Sequence, residues 1–124
     1  MGELSRRIET GRAIDADPIV IYNSRMIEVR QTTIFRRWLN GLKDRRAAER
    51  IAQRILRLEA GQPGDVRPVG AGVSELRVDH GPGYRAYFVL RGAVLIVLLC
   101  GGDKKSQQRD IARAKVLAAE LEVE

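Results

Sequence analysis

The chain alternates between two hydrophobic periods. Between Ile27 and Gln31 apolar and polar residues alternate, with β-branched residues among them, which predicts a first strand. Thr32 or Thr33 is placed to cap a helix, and Phe35, Trp38, Leu39 and Leu42 then recur at the spacing of one buried helical face. Asn40 and Gly41 weaken that helix, and Asp44 is a cap for the next. The second helix has Ala47, Ala48, Ile51, Ala52, Ile55 and Leu58 as its expected buried row and stops at Gly61, with Pro63 just beyond. Residues 61–72 read as loop and weak edge strand, because Pro68, Gly70 and Gly72 interrupt any ladder.

A period of two then takes over. Val73 to Val78 places Ser74, Leu76 and Val78 on one face and Val73, Glu75 and Arg77 on the other. After a turn at Asp79–Gly83, Tyr84, Ala86, Phe88 and Leu90 point one way, and Arg85, Tyr87 and Val89 the other. Arg91–Gly92 is predicted to be a tight two-residue hairpin. Val94 to Cys100 is apolar throughout, as a strand covered on both faces would be, and is expected to end at Gly101–Gly102. Ile111, Ala114, Leu117, Ala118 and Leu121 form the buried row of a last helix.

The order is strand, two helices, three or four strands, helix. Consecutive hairpins make the later strands antiparallel, so the expected class is α+β, a small mostly antiparallel sheet with an N-terminal helical hairpin on one face and a C-terminal helix. Residues 1–25 have no sustained period beyond a brief apolar run from Ile19 to Tyr22, whereas Met26 opens MIEVRQT like a natural start. The expected organisation is an N-terminal extension over 1–25, not native or loosely ordered and without assigned function, and a single domain over 26–124.

Composition narrows the function classes. Lys and Arg number 22 against 16 acids, a net charge of +6. Residues 1–25 balance, with Arg6, Arg7, Arg12 and Arg25 against Glu3, Glu9, Asp15 and Asp17, so the excess lies in the domain. A compact basic domain points to an anionic partner, nucleic acid or an acidic protein. No apolar run approaches the roughly 18 residues of a membrane span, so no membrane association is expected. One cysteine, Cys100, excludes a disulfide framework and a zinc cluster, which fits a reducing, cytoplasmic setting. No Walker loop or dinucleotide glycine pattern is present, and Gly81-Pro82-Gly83 reads as a hairpin turn. No metal site or small-molecule cofactor is expected.

The remaining chemistry is cationic. Arg85 and Tyr87 share a strand face, Arg77 joins them from the neighbouring strand, and Lys104 and Lys105 lie where the last strand leaves the sheet. The start of the final helix adds its positive dipole, which suits phosphate. Arg77, Arg85, Tyr87, Lys104 and Lys105 are therefore the candidates for binding an anion. Such a site can cleave RNA without metal if a 2′-hydroxyl attacks its own phosphate and guanidinium groups offset the developing charge. Arginine is a poor base, so these residues leave the proton-transfer group unnamed. Against these readings, Arg85 pairs equally well with Glu75 across the strands, Tyr87 can simply pack under a helix, Asp103 is best explained as a cap, and His80 reads as a solvated turn residue rather than a catalyst. On the second helix Arg46, Arg50, Arg54 and Arg57 make a basic stripe, either a solvated outer face or a contact surface for an acidic partner.

From Met26 to about Leu121 the chain resembles the RelE/ParE superfamily of toxins from type II toxin–antitoxin modules, and more closely the addiction module killer branch near HigB. The resemblance rests on MIEVRQT, FRRWLNGLKD, ELRVDHGPGYRAYF and LLCGGDKKSQQRDIARA. It implies a RelE/ParE-like toxin domain neutralised by a cognate antitoxin, which the basic stripe would contact. RelE-like members cut mRNA on the ribosome without metal, whereas ParE-like members poison gyrase. Carried over, the strand arginine is Arg85, the basic residues after the last strand are Lys104 and Lys105, and Arg77 is a second basic strand position. Two departures stand out: Glu75 occupies a position where RNA-cleaving members carry lysine, and no C-terminal tyrosine follows. The expectation is an mRNA interferase in which Arg77, Arg85 and Tyr87 are catalytic and Lys104, Lys105, Arg109 and His80 bind RNA phosphates, with a gyrase poison or a non-catalytic antitoxin-binding member as alternatives.

Overall fold

A computed structural model describes residues 27–92 and 94–123; the expectations for residues 1–25 lie outside them. The elements are β1 (Glu28–Gln31), α1 (Thr33–Asn40), α2 (Arg45–Glu59), β2 (Val66–Gly70), β3 (Val73–Val78), β4 (Tyr84–Arg91), β5 (Leu95–Asp103) and α3 (Gln107–Val123). They build one five-stranded sheet in the order β1-β5-β4-β3-β2. The β2–β5 run is antiparallel, and β1 pairs parallel with β5 at the sheet edge. The α+β expectation therefore holds.

The helices start where the sequence places their caps. The Thr32 hydroxyl accepts the Phe35 N–H at 2.9 Å and donates to the Leu99 carbonyl at 2.7 Å, so one side chain caps α1 and ties it to β5. Asp44 Oδ1 accepts the Ala47 N–H at 3.1 Å and caps α2. That helix closes with the Gln62 N–H on the Arg57 carbonyl and the Gly61 N–H on Leu58, Gly61 taking φ 83°.

Two apolar layers sandwich the sheet. Phe35, Ile51, Ile55 and Leu58 of α1 and α2 pack against Leu76, Val78, Ala86, Phe88, Ile96 and Leu98. On the other face Ala114 and Ala118 of α3 cover Val73, Tyr87, Val89, Val97, Leu99 and Cys100. The alternation read from β3 and β4 matches these faces. In α2 the buried row is Ala47, Ile51, Ile55 and Leu58; Ala48 is half-buried and Ala52 exposed, against expectation. Each residue is turned about 100° from its predecessor in a helix, so Ala52 is carried outward from Ile51.

β5 departs most from the sequence reading. It runs through both glycines to Asp103, and Arg91 opposes Leu95, so Arg91 belongs to the ladder and not to a two-residue hairpin, and Val94 is exposed. Tyr87 opposes Cys100 while Phe88 opposes Leu98, leaving Leu99 as the extra residue of a bulge. Leu99 and Cys100 consequently join the same core, and the facing of the strand is reversed beyond them. Gly101 then lies under Trp38 of α1 and Gly102 under Ser106 and Asp110 beside α3. A Cβ on Gly101 would sit 2.3 Å from the indole ring. A Cβ on Gly102 would overlap the Asp110 carboxylate.

Both layers thus dock through the absence of two side chains. Gly101→Ala is expected to cost about 1–3 kcal/mol in denaturant unfolding. In a Trp38→Ala background that cost should shrink, since the obstacle is gone; an unchanged cost across the double-mutant cycle would rule out the indole as its origin.

Candidate functional site

The chemistry-bearing residues gather at one end of the sheet, where the β3–β4 turn meets the β5–α3 turn. In the ladder Glu75 opposes Tyr87, Arg77 opposes Arg85, Arg85 opposes Gly102 and Tyr84 opposes Asp103. Arg77, Arg85 and Tyr87 therefore share a face, as their spacing implied.

Glu75, Tyr87 and Arg85 are 2%, 0% and 6% exposed. A buried carboxylate needs compensation, and three neighbours supply it. The Tyr87 hydroxyl donates to Glu75 Oε2 at 3.0 Å, Gln107 Nε2 donates to the same oxygen at 2.7 Å, and Arg85 Nε lies 3.7 Å from it. The cross-strand pairing of Arg85 with Glu75 is thus present. Burial first, and the Glu75 charge next, push the Tyr87 phenol far up, so it keeps its proton. This corrects the expected catalytic part for Tyr87: a phenol sealed beneath α3 and committed to Glu75 offers no face to a nucleobase.

The Arg85 fork turns toward the sheet end. Its Nη1 donates to the carbonyls of Gly83 and Tyr84, each at 3.3 Å, while Nε is buried without a hydrogen bond. A Cβ on Gly83 would lie 3.5 Å from both Arg85 Nη1 and Lys104 Cβ, so the Arg85 guanidinium and the stem of Lys104 both lie beside that glycine. Lys104 and Lys105 are exposed, in a turn fixed by Asp103, whose Oδ1 accepts the N–H groups of Lys105 at 2.9 Å and Ser106 at 3.2 Å. Arg77 stands partly exposed beside Asp65, Nε to Oδ2 3.8 Å, and Arg109 is exposed on α3. The arrangement can bind an anion at the rim and stabilise negative charge from below.

His80 occupies a different position from the phosphate ligand expected of it. Its Nε2 lies 3.1 Å from Asp44 Oδ2, so that nitrogen is committed to a carboxylate and is not open to a phosphate. Its ring stacks on Tyr84 with centroids 6.5 Å apart, and Tyr84 meets Trp38 edge-on at 6.3 Å. The Ala47 N–H first, and the bond to His80 second, hold the Asp44 carboxyl below its usual range.

The basic stripe on α2 divides. Arg46, Arg50 and Arg57 are exposed, but Arg54 reaches the Arg77 carbonyl at 2.6 Å and the Pro63 carbonyl at 3.0 Å. Its fork pins the 63–65 loop to β3, which corrects its place among partner contacts.

Three functional-end residues escaped the sequence reading: Asp44 as the partner of His80, Gln107 as a donor to Glu75, and buried Asp110, which accepts from Ser106 Oγ. Asp110 also helps raise the Cys100 thiol to about 11, after burial itself. The glycine at 102 was the available signal for Asp110, since a strand glycine marks a close approach. Among the described residues no group of His, Cys, Asp or Glu could hold a metal ion, and no helix is long and apolar enough to cross a membrane.

Comparison with known proteins adds an independent observation. Residues 37–121 match the family described as phage-derived protein Gp49-like (DUF891). An uncharacterized protein of Haemophilus influenzae is 48% identical over 95 residues, 77% of this chain and 96% of the relative. The solution structure of the conserved hypothetical protein HP0894 from Helicobacter pylori superposes with a TM-score of 0.43 at 18% identity, covering 64% of this chain and 97% of that one. The family match, which spans both sides of the rim and the whole sheet from β2 onward, makes this chain a member of the Gp49-like family of phage-derived proteins, a toxin-like family of the RelE/Gp49 kind.

Proposed function

We propose that the chain is the toxin of a type II toxin–antitoxin module, in the addiction module killer branch near HigB, and that it stops translation by cutting mRNA on the ribosome without metal or other cofactor. The observation that carries this reading is the placement of the Arg85 guanidinium and the stem of Lys104 beside Gly83. Lys104 and Lys105 grip phosphates from the surface, with Arg77 and Arg109 at the margins. Arg85 acts from beneath, where a low dielectric strengthens its attraction for charge developing on the scissile phosphate. Glu75 is its counter-ion and holds it in place. The exposed arginines of α2, Arg46, Arg50 and Arg57, form the surface for an acidic antitoxin segment.

Arg85→Ala is a poor test by itself. It leaves Glu75 buried without its cation, and breaking a buried pair costs about 3–5 kcal/mol, so this variant should lose stability as well as activity. The lysines are exposed, and the Lys104→Gln/Lys105→Gln double variant should fold as the parent does. Its mRNA cleavage on translating ribosomes, read by primer extension, is expected to fall about 10–100-fold, as loss of two phosphate contacts implies. Parental cleavage would overturn the site; growth arrest with intact mRNA and an induced SOS response would move the chain to gyrase poisoning.

Charge reversal at Arg46 and Arg50 is expected to slow association with the antitoxin, with the difference shrinking as salt is raised. Equal association rates at low salt would remove α2 from that interface.

A further inference from the structure

We infer that Asp44 and His80 form the proton-transfer pair of this site, with His80 Nδ1 as the base that accepts the ribose 2′-hydroxyl proton. The inference rests on the RNA-cleaving reading above and supplies the group that reading leaves unnamed. The other candidates are disqualified by placement. Glu75 is buried under three neighbours, Tyr87 is sealed and keeps its proton, and guanidinium groups do not deprotonate. His80 is the chain's one histidine.

Its geometry is that of an oriented base. A carboxylate only accepts hydrogen bonds, so in the neutral imidazole the 3.1 Å contact with Asp44 Oδ2 sets the proton on Nε2 and leaves the lone pair on Nδ1. Among the described residues Nδ1 has no hydrogen-bond partner. Asp44 is itself immobilised, because its other oxygen caps α2 through the Ala47 N–H. Tyr84 fixes the plane of the imidazole by stacking. The His80 side chain remains 21% exposed.

The base also lies beside the cationic rim. The Gly83 N–H donates to the His80 carbonyl at 3.0 Å. Residues 80–83 therefore form a β-turn whose ends are within about 7 Å. The Arg85 guanidinium and the stem of Lys104 lie beside Gly83. On this assignment a phosphate held at that turn presents the ribose on its 5′ side to the imidazole.

The step balances without a further reagent. Neutral His80 takes the 2′-hydroxyl proton at Nδ1, the 2′-oxygen bonds to phosphorus, and the bond from phosphorus to the 5′-oxygen breaks. Water protonates the departing 5′-oxygen, and the resulting hydroxide neutralises the imidazolium. The products are a 2′,3′-cyclic phosphate and a 5′-hydroxyl end. Asp44 stabilises the imidazolium and positions the ring, and so acts through His80.

A purely structural pin between the turn and the α2 cap predicts different behaviour. Asp44→Asn keeps the oxygen that caps α2 but presents an amide N–H to Nε2, which forces the imidazole proton onto Nδ1. His80→Gln keeps a hydrogen bond to Asp44 without a base. Each variant is expected to melt near the parent and to lose about 100-fold or more in single-turnover mRNA cleavage on programmed ribosomes, the scale of general-base catalysis. Asp44 and Tyr84 are the titratable groups in contact with His80, and Lys104 lies across the turn. Loss of the base should lower the saturating single-turnover rate while leaving the ribosome concentration for half-maximal rate unchanged, a split that a merely structural pin would not give. Parental saturating rates in both variants would overturn the pair while leaving the cleavage activity standing. So would losses explained wholly by a lower folded fraction. A parent protein that leaves mRNA intact on the ribosome overturns both readings.

Discussion

A buried carboxylate governs the functional half of this molecule. Glu75 stands in the middle of a sheet face beneath a helix, where an ionised group without partners is strongly disfavoured. Its demand is met from three directions: β4 supplies Tyr87 and Arg85, and the first turn of α3 supplies Gln107. Each donor is committed by that demand. Tyr87 becomes a fixed hydrogen-bond donor, Gln107 fastens α3 to the sheet, and Arg85 has its Nε drawn toward Glu75 while its fork reaches the sheet end. The cation at the rim is thus oriented by an acid that does not itself reach the rim.

The end of β5 provides the space in which this happens. The bulge at Leu99 shifts the strand's facing by one residue, so the following glycines lie under α1 and α3 in turn. Without the bulge, Gly101 would face α3 and the indole of Trp38 would meet a different side chain. Close approach on both faces then brings the α1 aromatics and the α3 N-terminal turn to the same strand end. Packing and site placement therefore share a cause, and the glycine pair serves both layers.

Much of the architecture could be read from periodicity, because strand alternation and helical spacing are local properties. The faces of β3 and β4, the Thr32 and Asp44 caps and the inner row of α3 all follow from residues close in sequence. The shared face of Arg77, Arg85 and Tyr87 was legible for the same reason. What escaped reading depends on depth and on partners far along the chain. Alternation says that Tyr87 faces α3 but not that the helix seals it. A basic stripe at helical spacing looks uniform, yet Arg54 meets the loop after its helix and is consumed there. The bulge in β5 was hidden because every residue from Val94 to Cys100 is apolar, and a uniform run carries no phase to betray a slip.

His80 and Asp44 show the same limitation from the functional side. They are 36 residues apart, and each has a sufficient local explanation, a turn residue and a helix cap. Only the packing of α2 on the sheet brings them together. The sheet end then divides its labour between its faces: cations approach from the α3 side, and the imidazole with its carboxylate from the α1–α2 side. The turn from His80 to Gly83 joins the two, since its first residue carries the imidazole and its last lies against Arg85 and Lys104. Separation of charge explains why this division is physically useful. A carboxylate on the cationic side would compete with phosphate for Arg85 and Lys104, as Glu75 would if it were exposed. Placed across the sheet and committed to the α2 cap, Asp44 can orient the imidazole without neutralising Arg85 and Lys104.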